Sequence, residues 1–259
     1  MKLAGPWWCV IVALCACTEV GTDPSVPVAI EIDRPPLPAI EAGDSLRDTL
    51  GVAQPLVARA LNSRNEVIAD APIRFLALRD SIVAVDSTTG LVAGLRAGEA
   101  DVVARVAGLQ SVRLPLRVVD APDTVYAAPP LTDTVRYGIA DDTARALIVA
   151  VARRDTTISG QDTVVLVPFW RVRYTIVDPP DLATNTDTNR VYIADVSNRV
   201  ARVDTTDATE GARRRIRFPL AVVSDTVTRT FVTEVVVLRS NGTPLPGSPI
   251  RFTTVIRPR

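Results

Sequence analysis

The thiols of three cysteines are the most reactive side chains in the sequence, and all lie near its start, as Cys9, Cys15 and Cys17. A thiol can form a disulfide, bind a metal or be alkylated. Beyond residue 17 the chain has no cysteine, histidine or lysine, because Lys2 is its single lysine. Ser-His-Asp and Cys-His nucleophiles, lysine Schiff bases, the P-loop and ordinary zinc sites are therefore excluded there. The sequence predicts no catalytic residue, no metal site and no cofactor.

The segment around these cysteines has the pattern of an export signal. Lys2 supplies a short positive start, and residues 3–16 contain no charged side chain. This apolar run is shorter than the about 20 residues that a membrane-spanning helix needs. The pattern predicts a signal peptide over residues 1–16.

The end of this segment reads Leu14, Cys15, Ala16 and Cys17. This order resembles a bacterial lipobox, although Cys15 departs from the small or β-branched residue usual at its position. The resemblance implies that the Cys17 thiol carries diacylglycerol and that the chain is cut just before it. Its acyl chains, at about 0.8 kcal/mol per buried CH₂, would anchor the protein stably to a membrane. An ordinary signal peptide cleaved near Ala16 is the alternative.

The residues after Cys17 bear on location and on partners. Thr18 stands where an aspartate would favour the inner membrane, so the resemblance implies an exported protein held at the outer membrane. Residues 17–25 are polar, contain glycine and proline, and predict a flexible tether. Lys plus Arg equals Asp plus Glu at 29 each, so no excess positive charge would attract nucleic acid.

From residue 26 onward, apolar and polar residues alternate in the pattern of half-buried strands. The alternation is clearest in four segments, residues 100–106, 112–118, 172–176 and 216–220. The second segment places Val112 on its apolar face, and the arginines between the apolar residues are expected on the solvated face.

Turn residues separate these predicted strands, and short strands separated by turns are typical of a β-sandwich. We predict an all-β fold of two tandem immunoglobulin-like β-sandwich domains, over residues 26–120 and 121–259. The proline-rich stretch 120–130 is the predicted junction, and a hairpin is expected around residues 156–162.

A specific order of motifs occupies residues 43–119. Gly43-Asp44-Ser45 precedes a predicted strand over residues 56–61, and a second strand ends at Phe75. Residues 81–104 then read SIVAVDSTTGLVAGLRAGEADVVA. This order resembles the bacterial immunoglobulin-like domain family called Big group 2, whose members usually carry tryptophan where Phe75 stands. The resemblance implies a β-sandwich with Phe75 in its core.

The glycines of that segment have a physical reason. Gly90 and Gly98 fall at predicted turns. A turn often needs a positive φ or a close backbone approach, which glycine permits at no steric cost. We therefore expect that the backbone conformation at both positions permits only glycine without strain.

One loop has residues that could bind calcium. Asn185, Asp187 and Asn189 are spaced as in a calcium loop, but Arg190 and Val196 stand where an EF-hand requires glycine and glutamate. We therefore predict a solvated loop without a metal.

Two further features have residue types that occur in binding sites. Trp170 is predicted to be a core residue of the second sandwich, with a sugar-stacking platform as the alternative. The run Arg213-Arg214-Arg215 is predicted to be a charged strand edge, which would prevent aggregation between sheets.

Together these features predict a non-enzymatic, lipid-anchored protein of the cell envelope that acts in adhesion, in surface recognition or as a structural spacer. Its expected partners are the membrane, through Cys17, and an extracellular or envelope protein or glycan. An accessory subunit of an envelope secretion or export complex is one alternative. A glycan hydrolase working through two carboxylates is another, because composition alone does not exclude it.

Overall fold

The computed structural model describes residues 23–136, 143–209, 211–219 and 227–257. The predicted signal peptide, Cys17 and most of the tether lie outside the described residues, as does Leu220. Within the described part the regular structure is strand, apart from one short 3₁₀ helix at Pro180–Leu182. The described residues include no helix long and apolar enough to span a membrane.

The first part of the described chain forms a β-sandwich. Its strands are β1 Ala29–Ile32, β2 Ile40–Glu41, β3 Ala58–Leu61, β4 Arg74–Ala77, β5 Val83–Val85, β6 Val92–Gly94, β7 Gly98–Val106, β8 Leu109–Gln110 and β9 Leu114–Val119. One sheet has the order β2-β9-β7-β4, with β8 added to β7, and the pairs β1-β3 and β5-β6 pack against it. Strand β2 runs parallel to β9, whereas the other pairings are antiparallel.

The core of this sandwich comes from the predicted alternation. Alternate residues of β7 and β9 point inward and pack against residues of the facing strands; the central members are Val102, Ala104, Leu116, Val118, Val83 and Val92. Phe75 is buried among them, as expected. Gly90 and Gly98 both have positive φ, as predicted. A Cβ on Gly90 would lie 2.8 Å from the Leu56 carbonyl oxygen and 2.9 Å from the Phe75 ring.

The predicted inward position of Val112 is wrong. Its side chain is 77% exposed, and β9 begins two residues later, at Leu114. Ser111 lies opposite Ala104, because its hydroxyl oxygen accepts a hydrogen bond from the Ala104 N–H at 2.9 Å and its own N–H donates to the Ala104 carbonyl. Leu114 lies opposite Val102, so the register with β7 shifts by one residue between Ser111 and Leu114, and Val112 does not share the inward face of β9.

The second part of the chain forms a larger sandwich. Its strands are β10 Thr124–Ala127, β11 Thr132–Arg136, β12 Leu147–Thr156, β13 Asp162–Leu166, β14 Arg171–Asp178, β15 Tyr192–Ala194, β16 Val203–Thr205, β17 Ala212–Arg217, β18 Arg229–Val237 and β19 Ile250–Arg257. One sheet has the order β10-β12-β17-β15, with β13 paired to β12, and the other has the order β11-β19-β18-β14-β16. The all-β prediction is confirmed.

The second core lies between these two sheets. Val172, Tyr174 and Ile176 of β14 point inward, as predicted, and pack with residues of the other strands such as Val149, Ile216, Val235 and Phe252. The expected hairpin is also present, because β12 and β13 pair antiparallel with Thr156 opposite Asp162.

The predicted charged edge at Arg213-Arg214-Arg215 is wrong, because β17 lies inside its sheet. The first half of β17 pairs with β12 and its second half pairs with β15. The Arg214 side chain is only 11% exposed and forms a 2.7 Å ion pair with Asp204 of the opposite sheet. This arginine therefore links the two sheets.

The junction is shorter than predicted. Strand β9 ends at Val119 and β10 begins at Thr124, so only residues 120–123 connect the two sandwiches. Pro129 and Pro130 lie between β10 and β11, inside the second sandwich.

The hydroxyl group of Tyr174 provides a test of the second core. The residue is fully buried, and its hydroxyl has no hydrogen-bond partner within the described ranges. Burial raises the pKa of Tyr174 well above its usual range. A buried polar group without a partner costs about 1–3 kcal/mol. We expect Tyr174→Phe to raise the free energy of unfolding by about 1 kcal/mol in urea denaturation, and a loss of stability would contradict this packing.

Candidate functional site

The structure describes Trp170, one of the residues considered for a binding role, but not the predicted lipid attachment site. Cys17, the predicted lipid attachment site, lies outside the described residues. Trp170 is 7% exposed and its indole N–H donates to the Leu238 carbonyl at 3.0 Å. Trp170 is thus a core residue, and the sugar-platform alternative is wrong because too little of the ring is exposed for a sugar to stack on it.

The loop with calcium-like spacing binds its own backbone. The Asn185 amide donates to the carbonyls of Asp187 and Val191, and the Asp187 carboxylate accepts from the Asn189 N–H at 2.8 Å. Across the part of the chain that the structure describes, no three acidic, cysteine or histidine side chains are grouped to hold a metal.

The two sandwiches meet at an apolar contact. Val119, the last residue of β9, is 5% exposed and packs into the second core. Ala39, which precedes β2, packs against the same core. The second core therefore includes residues from the first sandwich. Separation of the two sandwiches would expose these apolar side chains to water.

Polar contacts close one side of the junction. The Ser240 hydroxyl lies within hydrogen-bond distance of the Glu41 and Asp44 carboxylates, and the Ser240 N–H donates to Glu41 at 3.4 Å. Because a hydroxyl has one proton, it can donate to only one carboxylate at a time. Asp44 also accepts from Arg47, with Nε at 2.8 Å and Nη2 at 2.7 Å, and from the Ser45 N–H at 2.7 Å.

The other side of the junction carries a second set of contacts. The Arg117 guanidinium of the first sandwich lies 3.7 Å from the centre of the Phe169 ring of the second. Asp120 forms an ion pair with Arg153 at 3.4 Å, and the Asp123 carboxylate accepts from the Arg154 N–H at 2.8 Å. The linker is thus held on both sides.

Two loops also touch across the junction. A Cβ on Gly51 would lie 3.0 Å from the Gly242 nitrogen and 3.1 Å from the Ser240 carbonyl oxygen. The backbones of these loops are therefore in direct contact, with no room for a side chain between them.

A cavity of about 230 Å³ lies between the two sandwiches beside these loops. The first sandwich contributes the segments around Ala39, Glu41 and Leu50. The second contributes the start of β14 and the end of β18, and Trp170 and Leu238 are among the lining residues. The site therefore exists only while the two sandwiches remain in contact.

The Asp44 carboxyl makes the junction sensitive to acid. Hydrogen bonds from Arg47, followed by those from Ser240 and the Ser45 N–H, lower the pKa of Asp44 from 3.8 to about 2, although burial acts in the opposite direction. A carboxyl with a lowered folded-state pKa stabilises the protein above its unfolded pKa, and this contribution disappears as the pH falls from about 4 to about 2.

We therefore expect wild type to be more stable than Asp44→Asn at pH 6, and the difference to shrink by about 1–2 kcal/mol at pH 2.5 after allowance for solvent screening. Thermal unfolding at both pH values measures this. Asp101→Asn is the control, because Asp101 forms only a long 3.8 Å ion pair with Arg113. A difference for Asp44→Asn that is independent of pH would contradict the assignment.

Sequence reasoning missed the residues of the junction. The alternation of β14 predicts a solvated face for its arginines, Arg171 and Arg173. Ser240 lies 199 positions from Glu41 in the chain, so no local pattern connects them. One signal in the sequence could have indicated the junction. It is the pair of arginines on the predicted outer face of β14, next to the only tryptophan after residue 8.

Comparison with known proteins gives no family for the chain. No family model matches it, and no curated protein matches it. Among solved structures it is similar to domains 4 and 5 of the S-layer protein SbsC, with 10% identity, 89% of this chain and 98% of that chain covered, and a TM-score of 0.31.

Two further solved structures are similar to a comparable degree. The Yersinia pseudotuberculosis adhesin InvE has 16% identity, with 84% of this chain and 56% of that chain covered and a TM-score of 0.32. Human protocadherin-24 EC1-2 has 11% identity, with 90% and 100% covered and a TM-score of 0.28. At these values the two-sandwich architecture is established by the strand pairings and cores of this chain itself.

Proposed function

We propose that this protein is a lipid-anchored, non-enzymatic arm of the cell envelope, with domains over residues 26–120 and 121–259, that serves adhesion, surface recognition or spacing. Cys17 would hold it to the outer membrane by its lipid. The observation that supports this proposal is the direction in which the chain runs through the first sandwich. The chain enters this sandwich at one end, and the junction with the second sandwich lies at the other.

Contacts around strand β3 define the two ends. The Asn62 amide donates to the Pro24 carbonyl at 3.2 Å, which places the chain entry beside the turn that follows β3. Strand β3 leads to this turn from the side of Gly51, which touches the second sandwich. The lipid would therefore be joined, through the predicted tether, to the end of the first sandwich that points away from the second.

The fixed junction supports a spacer more than a flexible string of domains. Only residues 120–123 connect the sandwiches, and Asp120 and Asp123 are both bonded to the second one. Val119 packs into the second core, so rotation at the linker would expose an apolar side chain. Such an arm would hold the second sandwich, and any partner bound to it, at a set distance from the first.

The carboxyl groups give the hydrolase alternative no support. A glycosidase needs one carboxyl group whose pKa is raised, so that it can act as a general acid. Among the carboxyl groups of the described residues, the pKa values that depart from their usual range belong to Asp23, Asp44, Asp86, Asp195 and Asp207, and all five are lowered by hydrogen bonds.

Metabolic labelling with a lipid precursor tests the anchor, which is the basis of the proposed function. We expect label on the wild-type protein and on Cys15→Ala, which keeps the lipobox pattern, and no label on Cys17→Ala. Membrane fractionation should show the same pattern, with Cys17→Ala released from the outer membrane. A wild-type protein without label would refute the proposal.

Protease treatment of intact cells then separates the roles. Cleavage of the second sandwich would support display at the cell surface and a role in adhesion or recognition. Protection would favour a spacer inside the envelope, and recovery in a stable membrane complex would favour an accessory subunit instead.

A further inference from the structure

Three arginines that line the cavity between the sandwiches form no ion pair with any described residue. Arg171 and Arg173 are alternate residues of β14, so both side chains leave the sheet on its outer face, with the fully buried Val172 between them. Arg239 follows β18, which is paired with β14. None of the three donates a side-chain hydrogen bond to any described residue.

Two of these positive charges are partly removed from water, because Arg171 and Arg239 are half-buried, whereas Arg173 is exposed. Burial, together with the like charge of Arg173, lowers the pKa of Arg171. Guanidinium groups present a planar fork of donors that fits carboxylate or phosphate oxygens in pairs. A negatively charged group bound here would relieve both the repulsion and the missing hydrogen bonds.

The acidic residues of the cavity are occupied by other partners. Glu41 accepts from Ser240, and Asp48 accepts from the N–H groups of Leu50 and Val52 at 2.8 and 2.9 Å. Neither carboxylate contributes to the pKa of Arg171. These donors are neutral, so both carboxylates keep their charge, but the three arginines exceed the two carboxylates of the lining by one positive charge.

The rest of the lining is mainly apolar. Leu37, Pro38 and Leu50 of the first sandwich face Val236 and Leu238 of the second. The side chain of Leu50 is 80% exposed, so an apolar group that covered it would be stabilised by about 25 cal/mol per Å² of buried surface. At about 230 Å³ the cavity is smaller than the about 300–1,000 Å³ of pockets for drug-sized ligands.

We infer that this cavity is a binding site for a small organic anion, in which a carboxylate or phosphate group attached to an apolar body is held by Arg171, Arg173 and Arg239. The anionic group contacts the guanidinium groups, and the apolar body packs on Leu50 and its neighbours. Because both sandwiches line the cavity, a bound anion also strengthens their contact. The inference does not depend on lipid attachment at Cys17.

Titration calorimetry of the purified full-length protein with phenyl phosphate tests the site. We expect saturable binding of one phenyl phosphate per chain, weaker binding of inorganic phosphate, and no measurable binding of phenol. Arg171→Gln and Arg173→Gln should each weaken phenyl phosphate binding about tenfold or more, because each removes a charged hydrogen-bond donor. The matched control is Arg113→Gln, which removes the same charge from a side chain that is 69% exposed on the first sandwich; it should change affinity less than about twofold.

Several outcomes would overturn the inference. One is no saturable binding of phenyl phosphate at millimolar concentration, and another is unchanged affinity in Arg171→Gln and Arg173→Gln. An equal loss in Arg113→Gln would show attraction to net charge rather than a site. Equal affinity for inorganic phosphate would overturn the apolar part of the assignment. Circular dichroism melting of each variant, with Arg239→Gln as a third arginine variant, separates loss of binding from loss of folding.

Discussion

Gly211→Ala is expected to lower the free energy of unfolding of the second sandwich by at least about 3 kcal/mol. Gly211 precedes β17 and has a φ of +84°. A Cβ at this position would lie 2.2 Å from the Val149 carbonyl oxygen and 3.0 Å from its carbonyl carbon. Because both atoms belong to the backbone of the central strand β12, no side-chain rotation can relieve the collision.

Gly160→Ala is the matched control for this prediction. Gly160 lies in the same sandwich, at the tip of the β12–β13 hairpin, with a φ of +79° and no atom within 4 Å of its added Cβ. It carries the cost of a left-handed alanine, about 1–2 kcal/mol, without the collision. Urea denaturation of both variants measures the difference, and equal losses would show that the approach of Gly211 to β12 is not a structural requirement.

Asp204→Ala is expected to destabilise the second sandwich by about 3 kcal/mol, because it leaves the Arg214 charge buried without its partner. The Asp204 and Arg214 side chains are 20% and 11% exposed, and Asp204 also accepts from the Arg213 N–H at 2.7 Å. Arg214 further donates to the Val203 carbonyl. These bonds connect β16 of one sheet with β17 of the other.

A double-mutant cycle isolates this interaction. Asp204→Ala combined with Arg214→Met should recover most of the lost stability, since an apolar pair can replace a buried ion pair at little cost. Asp181→Ala is the exposed control, because Asp181 is 60% exposed in its pair with Arg190 and such pairs contribute about 0–1 kcal/mol. Additive losses in chemical denaturation, with no recovery in the double variant, would contradict the assignment.

Local sequence patterns predicted the features that depend on neighbouring residues, such as the buried faces of strands and the glycines at turns. Alternation located the buried faces of β7 and β14, because side chains along a strand point to opposite faces in turn. Gly90 was predicted from its turn, and Phe75 was expected in the core from the family resemblance. The failure at Val112 arose because the register with β7 shifts by one residue between Ser111 and Leu114, which alternation alone does not reveal.

Long-range contacts were beyond prediction from a single sequence. Whether Arg214 lies on an edge or inside a sheet depends on where β12 and β15 pair, and both are far from it in the chain. The cavity has the same origin, because its arginines come from the second sandwich whereas part of its apolar wall comes from the first. Cys17 is the opposite case, since its predicted role rests on four neighbouring residues and stays a prediction.

The central claim of a fixed two-domain arm is tested most directly by a distance between spin labels. Nitroxides would be attached at Val112→Cys and Val196→Cys, whose native side chains are 77% and 72% exposed, in a chain with its three native cysteines replaced by alanine. One narrow distance population in double electron–electron resonance is the result expected for a fixed junction. A broad distribution spread over tens of ångströms would show that the sandwiches move independently and would contradict the arm.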